Sequence, residues 1–212
     1  MGRLYDSLLS GTSGRTGKIV VANVYGNEYT RIRPRKRTGV PTEKQVLIQQ
    51  RMKDCVTFMQ SYRSYACLYF GQRVGAKSRY NLAMVNVLES MALDYVANTI
   101  TMVYPNISFS RGGLLGAIPL PMAKPNPSTL EITWQDNSGG NAIRQNDFIQ
   151  ILIAAEDELN THFIENAAKR SETSYSVNIP MQMQGKTLHV YLAFKAADET
   201  TASNSQYAGT IV

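Results

Sequence analysis

Residues 11–18 read GTSGRTGK, and a glycine-rich loop ending in Gly-Lys can cradle a phosphate, with backbone N–H groups and a lysine around the anion at a helix N-terminus. The spacing does not fit that chemistry. The place five residues before the last glycine holds Thr12, and Ile19 stands where a Mg²⁺-binding hydroxyl is needed. The β-branched run Ile19, Val20, Val21 then announces a strand rather than a helix, so the segment reads as a flexible lead into that strand. A second candidate is EDELNTHFIE, where Glu158, His162 and Glu165 are spaced to share a helix face and hold a metal; the plainer reading is a solvated, acidic helical turn. Glu156, Asp157 and Glu158 have the composition of paired acid/base carboxylates, with nothing to suggest a pocket around them. His189 alternates outward from the apolar residues of its strand, as an exposed histidine does. Cys55 and Cys67 lack CxxC or Cys/His spacing and read as buried thiols. With no nucleophile elbow either, the expectation is a protein that is not an enzyme, with no catalytic, cofactor-binding or metal residue.

What remains is charge. The stretch RIRPRKR, residues 31–37, carries five cations in seven positions. On a strand Arg31 and Arg33 point to one side and Ile32 to the other, and Pro34 stops the segment from continuing as a central strand. Arg15, Lys18, Arg31, Arg33, Arg35, Lys36 and Arg37 are therefore the candidate contacts to an anion, a nucleic acid or another subunit. The imbalance extends over the chain: residues 1–111 hold sixteen Lys/Arg against six Asp/Glu, residues 112–212 six against ten, and the net charge is +6. Such polarity suits partners that are anionic, including the acidic half of another copy.

The elements that must position these cations are legible in outline. Residues 18–24 suit a strand, Gly26-Asn27 supplies turn chemistry and residues 28–33 a return strand, so an N-terminal β-hairpin with a cationic arm is expected over residues 1–40. Thr42 and Gln45 have capping-box spacing. Ile48, Met52, Cys55, Met59 and Tyr62 then recur at helical intervals, and a second helix over 78–93 offers Leu82, Val85, Leu88 and Leu93 to that face, giving a helical region over 41–104. Prolines and glycines punctuate 105–128, a link with a first strand. Over 129–212 apolar residues alternate: Leu130, Ile132, Trp134; Tyr175, Val177, Ile179; Leu188, Val190, Leu192, Phe194. Phe148 to Ala155 is nearly continuous, as in a strand covered on both faces. The fold class expected is α+β, with a C-terminal β-sandwich of immunoglobulin or fibronectin type III type.

Taken in order, SGRTGKIVV, RPRK (33–36), TEKQ (42–45), SRG (110–112), DNSG (136–139), VYLAF (190–194) and SNSQYAG (203–209) resemble an uncharacterised family of small proteins from the Bacteroides group of bacteria, a domain of unknown function. The resemblance covers nearly the whole chain and implies the basic first half and β-rich second half, but no catalytic residue. The N-terminal pattern is also similar to segments of phage virion-associated proteins. The function expected is a non-enzymatic structural protein that self-assembles or docks into a larger assembly, such as a virion, through its basic arm and sandwich. The alternative is binding to the DNA or RNA phosphate backbone without sequence specificity. The first residues lack the apolar core of a secretory signal and no stretch is long enough for a membrane span, so synthesis in the cytoplasm is expected.

Overall fold

A computed structural model of the chain describes residues 2–35 and 39–212; Lys36 and Arg37 of the expected contact set lie outside the described residues. The fold is mixed α/β, with four α-helices and several open antiparallel sheets among the described residues. It divides into two compact units, Met1–Pro41 with Val74–Ala76, and Thr42–Arg73 with Lys77–Val212.

The first unit is a four-stranded antiparallel sheet. Its strands are β1 (Gly2–Arg3), β2 (Gly14–Thr16), β3 (Ile19–Val24) and β4 (Asn27–Ile32), in the order β1-β4-β3-β2. The stretch GRTGK is thus neither a phosphate loop nor a flexible lead: it is a strand and a two-residue hairpin turn, with Gly17 at φ +58° as its first central residue. The next turn falls on Tyr25-Gly26 rather than Gly26-Asn27, because Asn27 pairs with Val24 and already belongs to the return strand. Tyr25 and Gly26 both have positive φ, as a type I′ turn demands, and the Asn23 side chain accepts the Gly26 N–H at 2.8 Å. Glu28 fastens the loop before β2 by accepting from Ser10 Oγ (2.9 Å) and the Gly11 N–H (2.8 Å).

The second unit begins with α1 (Glu43–Phe58), capped as its sequence predicts by Thr42 and Gln45. The helix ends sooner than the apolar periodicity suggested. Tyr62 instead precedes a separate α2 (Arg63–Tyr69), so the face that α1 buries is Leu47, Asp54, Cys55 and Phe58, and Ile48 and Met52 are exposed. The next helix, α3 (Arg79–Glu89), is capped by Ser78 and buries Ala83, Asn86 and Val87; Leu93 lies beyond it, on the hairpin β5 (Met91–Asp94) and β6 (Thr99–Met102). The remaining elements are β7 (Ala123–Asn126), β8 (Thr129–Thr133), the short α4 (Ala142–Gln145), β9 (Phe148–Ala155), β10 (Thr161–Ile164), β11 (Ser174–Asn178), β12 (Leu188–Lys195) and β13 (Gln206–Ile211).

Two sheets of this unit face each other, β10-β9-β12-β13 and β11-β8-β7. Ile149, Ile151, Ile153, Leu188, Val190, Leu192 and Phe194 pack with Leu130, Ile132, Trp134, Val177 and Ile179 between them. The alternate residues of the same central strands, Leu152, Ala154, Tyr191 and Ala193, pack with Phe58, Met59, Tyr62, Tyr65 and Phe70 of the helical layer. Burial on both faces is why β9 lacks polar alternation. An immunoglobulin or fibronectin type III sandwich is not confirmed: the larger sheet is the middle of three layers, with helices on its outer face.

Candidate anion-binding face of the N-terminal sheet

Pairing register decides which side chains of the small sheet meet. Directly opposed residues share a face, and residues two apart along a strand return to it. Val20 of β3 lies between Arg15 on β2 and Arg31 on β4. Ala22 pairs with Tyr29, which pairs in turn with Arg3 on β1. The Arg33 N–H donates to the Lys18 carbonyl at 2.8 Å, which carries the β3–β4 pairing one residue further and sets Lys18 and Arg33 on the same side as Val20 and Arg31. One face therefore gathers Arg3, Arg15, Lys18, Arg31 and Arg33 around Tyr29. Val21, 2% exposed, belongs to the other face with Thr30, and the sheet's one carboxylate, Glu28, is also there, opposite Asn23.

Arg31 and Arg33 lie about 6.8 Å apart along the strand, and Arg15 sits two strand spacings, about 9.6 Å, from Arg31. All five cations are exposed, and among the described residues none forms an ion pair. Arg3 is the most constrained: its guanidinium donates to Asn27 Oδ1 and lies 5.4 Å from the Tyr5 ring and 6.0 Å from that of Tyr29. Two like charges about 7 Å apart in water repel by about 0.6 kcal/mol, too little to disrupt the sheet, yet enough that a bound anion relieves several such terms together. Past the paired region, Arg33, Pro34 and Arg35 line a groove of about 360 Å³ with Gly17, Lys18 and Ile32.

Of the expected contacts, then, Arg15, Lys18, Arg31 and Arg33 come together and Arg35 borders the groove beside them. Arg3 was missed because its strand is two residues long; the signal that finds it is the register against Tyr29, which only the fold supplies.

The candidates in the second unit are placed differently from expectation. His162 lies on β10, opposite Ile153, so no helix brings it into register with Glu158 and Glu165. Among the described residues no group of three His, Cys, Asp or Glu is placed to hold a metal ion. Cys55 is buried, and burial pushes its thiol up to about 11; Cys67, expected to be buried, is exposed on α2 because its neighbours Tyr65 and Ala66 take the inward positions. His189 is 5% exposed rather than outward in solvent, since the face opposite Val190 is the one the helical layer covers. Its ring stacks on Tyr104 at 3.8 Å, Nδ1 meets Tyr207 Oη at 2.8 Å, and Nε2 lies 3.6 Å from Glu156 Oε1. Burial holds its pKa below the ordinary histidine value, against the opposite pull of Glu156. Glu156, Asp157 and Glu158 do border a concavity, of about 430 Å³, contrary to the expectation of no pocket, because Asp54, Met91 and Tyr104 reach it from distant segments.

No helix among the described residues is long and apolar enough to cross a membrane. No curated protein matches the chain. The order of motifs over nearly its whole length is accounted for by one family: residues 11–209 match the model of a family of unknown function, DUF6266, and the chain belongs to that family.

Proposed function

We propose that this is a non-enzymatic structural protein that docks into a larger assembly, such as a phage virion, through the cationic face of its N-terminal sheet, with the β-sandwich and helical layer as the rigid body that is carried. The observation that carries the reading is the sorting of charge in the small sheet: Arg3, Arg15, Lys18, Arg31 and Arg33 share one face, while Glu28 is on the other. A charge run that served solubility alone would have no need to avoid its own carboxylates. The virion setting draws on the likeness of the N-terminal pattern to virion-associated proteins. Open sheet edges in both units add sites where a neighbour's strand can pair.

A second reading, non-specific nucleic-acid binding, is favoured by the residue types on the face. Four of its five cations are arginines, whose planar guanidinium grips phosphate in two places, and Tyr29 among them offers a surface on which a base can stack. The two readings separate by light scattering after size exclusion, at low ionic strength and at about 0.5 M salt, before and after nuclease treatment. Particles that survive nuclease but dissolve in salt support protein assembly. Particles lost on nuclease treatment support the second reading. Replacing Arg31 and Arg33 by alanine abolishes assembly if the face is the contact; unchanged assembly removes the face from the mechanism.

A further inference from the structure

Resting on the docking reading above, we infer that the anionic partner of the cationic face is a second copy of this chain, received at the concavity lined by Asp54, Tyr104, Glu156, Asp157 and Glu158. That concavity lies wholly within the second unit and has room, at about 430 Å³, for one or two guanidinium-bearing side chains. Four carboxylates border it, and the compensating cation seen beside them is Lys186, 2.5 Å from Glu158.

Among the described residues Asp54, on the lining, lacks a counter-charge, and His189, behind the lining, has an unpartnered ring nitrogen. Asp54 is 9% exposed; its Oδ1 accepts from the neutral amide of Gln50 at 2.6 Å, and among the described residues no ion pair neutralises it. A carboxylate this far out of water normally has a cation against it. His189 is nine-tenths buried behind the Glu156 carboxylate, with an Nε2 that has no hydrogen-bond partner. An arriving guanidinium supplies the counter-charge that Asp54 lacks, because its donors can bridge Asp54 and Glu156.

The walls match the rest of such a side chain. Met91, Ile100, Met102 and Leu159 present apolar surface to the methylene stem of an arginine, whose charged end then reaches the carboxylates. A metal ion is the poorer occupant, since no three ligands among the described residues are placed for one. The charges are complementary in sign: the donor face displays several exposed guanidiniums, and the receiving carboxylates come as a cluster. Because face and cavity are different surfaces, the contact is heterologous, and its repetition makes a ring or a filament rather than a closed two-fold dimer.

Charge exchange tests this on the full-length protein. One variant carries Arg31→Glu with Arg33→Glu. The other carries Glu156→Lys with Asp157→Asn, asparagine being chosen because Asp157 sits at φ +62°. Each is checked for native circular dichroism, and assembly is read by light scattering after nuclease treatment. The expected result is that each variant alone runs as a monomer, whereas an equimolar mixture regains the particles of the wild type, since the reversed face of one now fits the reversed cavity of the other. If the cavity variant assembles like the wild type while the face variant does not, the cavity assignment is overturned and the docking role of the face stands. If both variants assemble alone, both readings fall. A mixture that stays monomeric overturns the pairing of face with cavity.

Discussion

The two units of this protein are held together in different ways. Among the described residues of the first 41, Val21 is the single buried apolar side chain, whereas the second unit encloses two apolar clusters, one on each side of its central sheet. Hydrogen-bonded register, two tight turns and the Glu28 clasp define the small sheet, and little apolar surface leaves water when it forms. Sheets with so little buried on one side are marginal alone. The large unit keeps many of its apolar side chains in a core, while the small one leaves most of its side chains outside any core. Exposed, unpaired cations suit the second kind of stability, because a charge taken into a core needs a partner there.

That contrast can be broken most directly in the large unit. Trp134 is fully buried, and its indole N–H donates to the Arg170 carbonyl at 2.9 Å, so Trp134→Ala removes a large volume and strands a carbonyl together. A loss of about 4 kcal/mol is expected in urea titration of the intact protein. A loss below about 1 kcal/mol would mean that the two-sheet core does not carry the unit's stability.

Next in size is the buried ion pair. Arg170 and Asp147 meet at 2.9 Å with side chains 0% and 2% exposed, and the guanidinium also reaches Asn137 and the Leu115 carbonyl and stacks 3.8 Å above the Phe194 ring. It ties three loops to the sandwich core at once. Asp147→Asn leaves that cation without a counter-charge and is expected to cost about 3 kcal/mol, whereas replacing both partners by leucine and methionine is expected to cost much less. Equal losses for the single and the double change would show that the pair acts through packing alone.

These elements also show how far local sequence reaches. The capping box at Thr42, the double-sided burial of Phe148–Ala155 and the inward set on β12 were all legible, since each depends on residues within one turn or one strand. The stop of α1 at Phe58 was not, because Met59 and Tyr62 keep a helical spacing by chance across a break and face the same core from a different element. Four of the five cations of the face were named from the sequence, and two, Arg31 and Arg33, were placed on one side by alternation; joining Arg15, Lys18 and Arg3 to them required cross-strand register, which a one-residue slip would invert. The acidic concavity was illegible for a related reason, its lining being drawn from segments about a hundred residues apart.

In the small sheet the matching change is Val21→Ala. Its expected cost is about 1–2 kcal/mol, felt within that unit as faster amide exchange along β3 and β4, with the urea midpoint of the large unit unchanged. Slowed or unchanged exchange in these strands would contradict the view that a single side chain anchors the sheet from below.

Acid sharpens the contrast with the smallest perturbation. Both histidines of the chain, His162 and His189, are in the second unit, and burial lowers the pKa of each beneath its ordinary 6.5. The unfolded chain takes up those protons first as pH falls, so the stability they contribute is complete above about pH 6.5 and declines from there toward the folded-state values. Urea midpoints measured at about pH 7.5 and about pH 5.5 are therefore expected to fall for the large unit, and His189→Gln, which keeps a polar group facing Tyr207, is expected to flatten part of that slope. Exchange in β3 and β4, which contain no histidine, is expected to follow only the intrinsic chemistry of pH across the same interval. A midpoint that rises on acidification would require imidazoles stabilised as cations in the fold, with Glu156 outweighing the desolvation of His189, and would make the Tyr104–His189 stack a charged rather than a neutral contact.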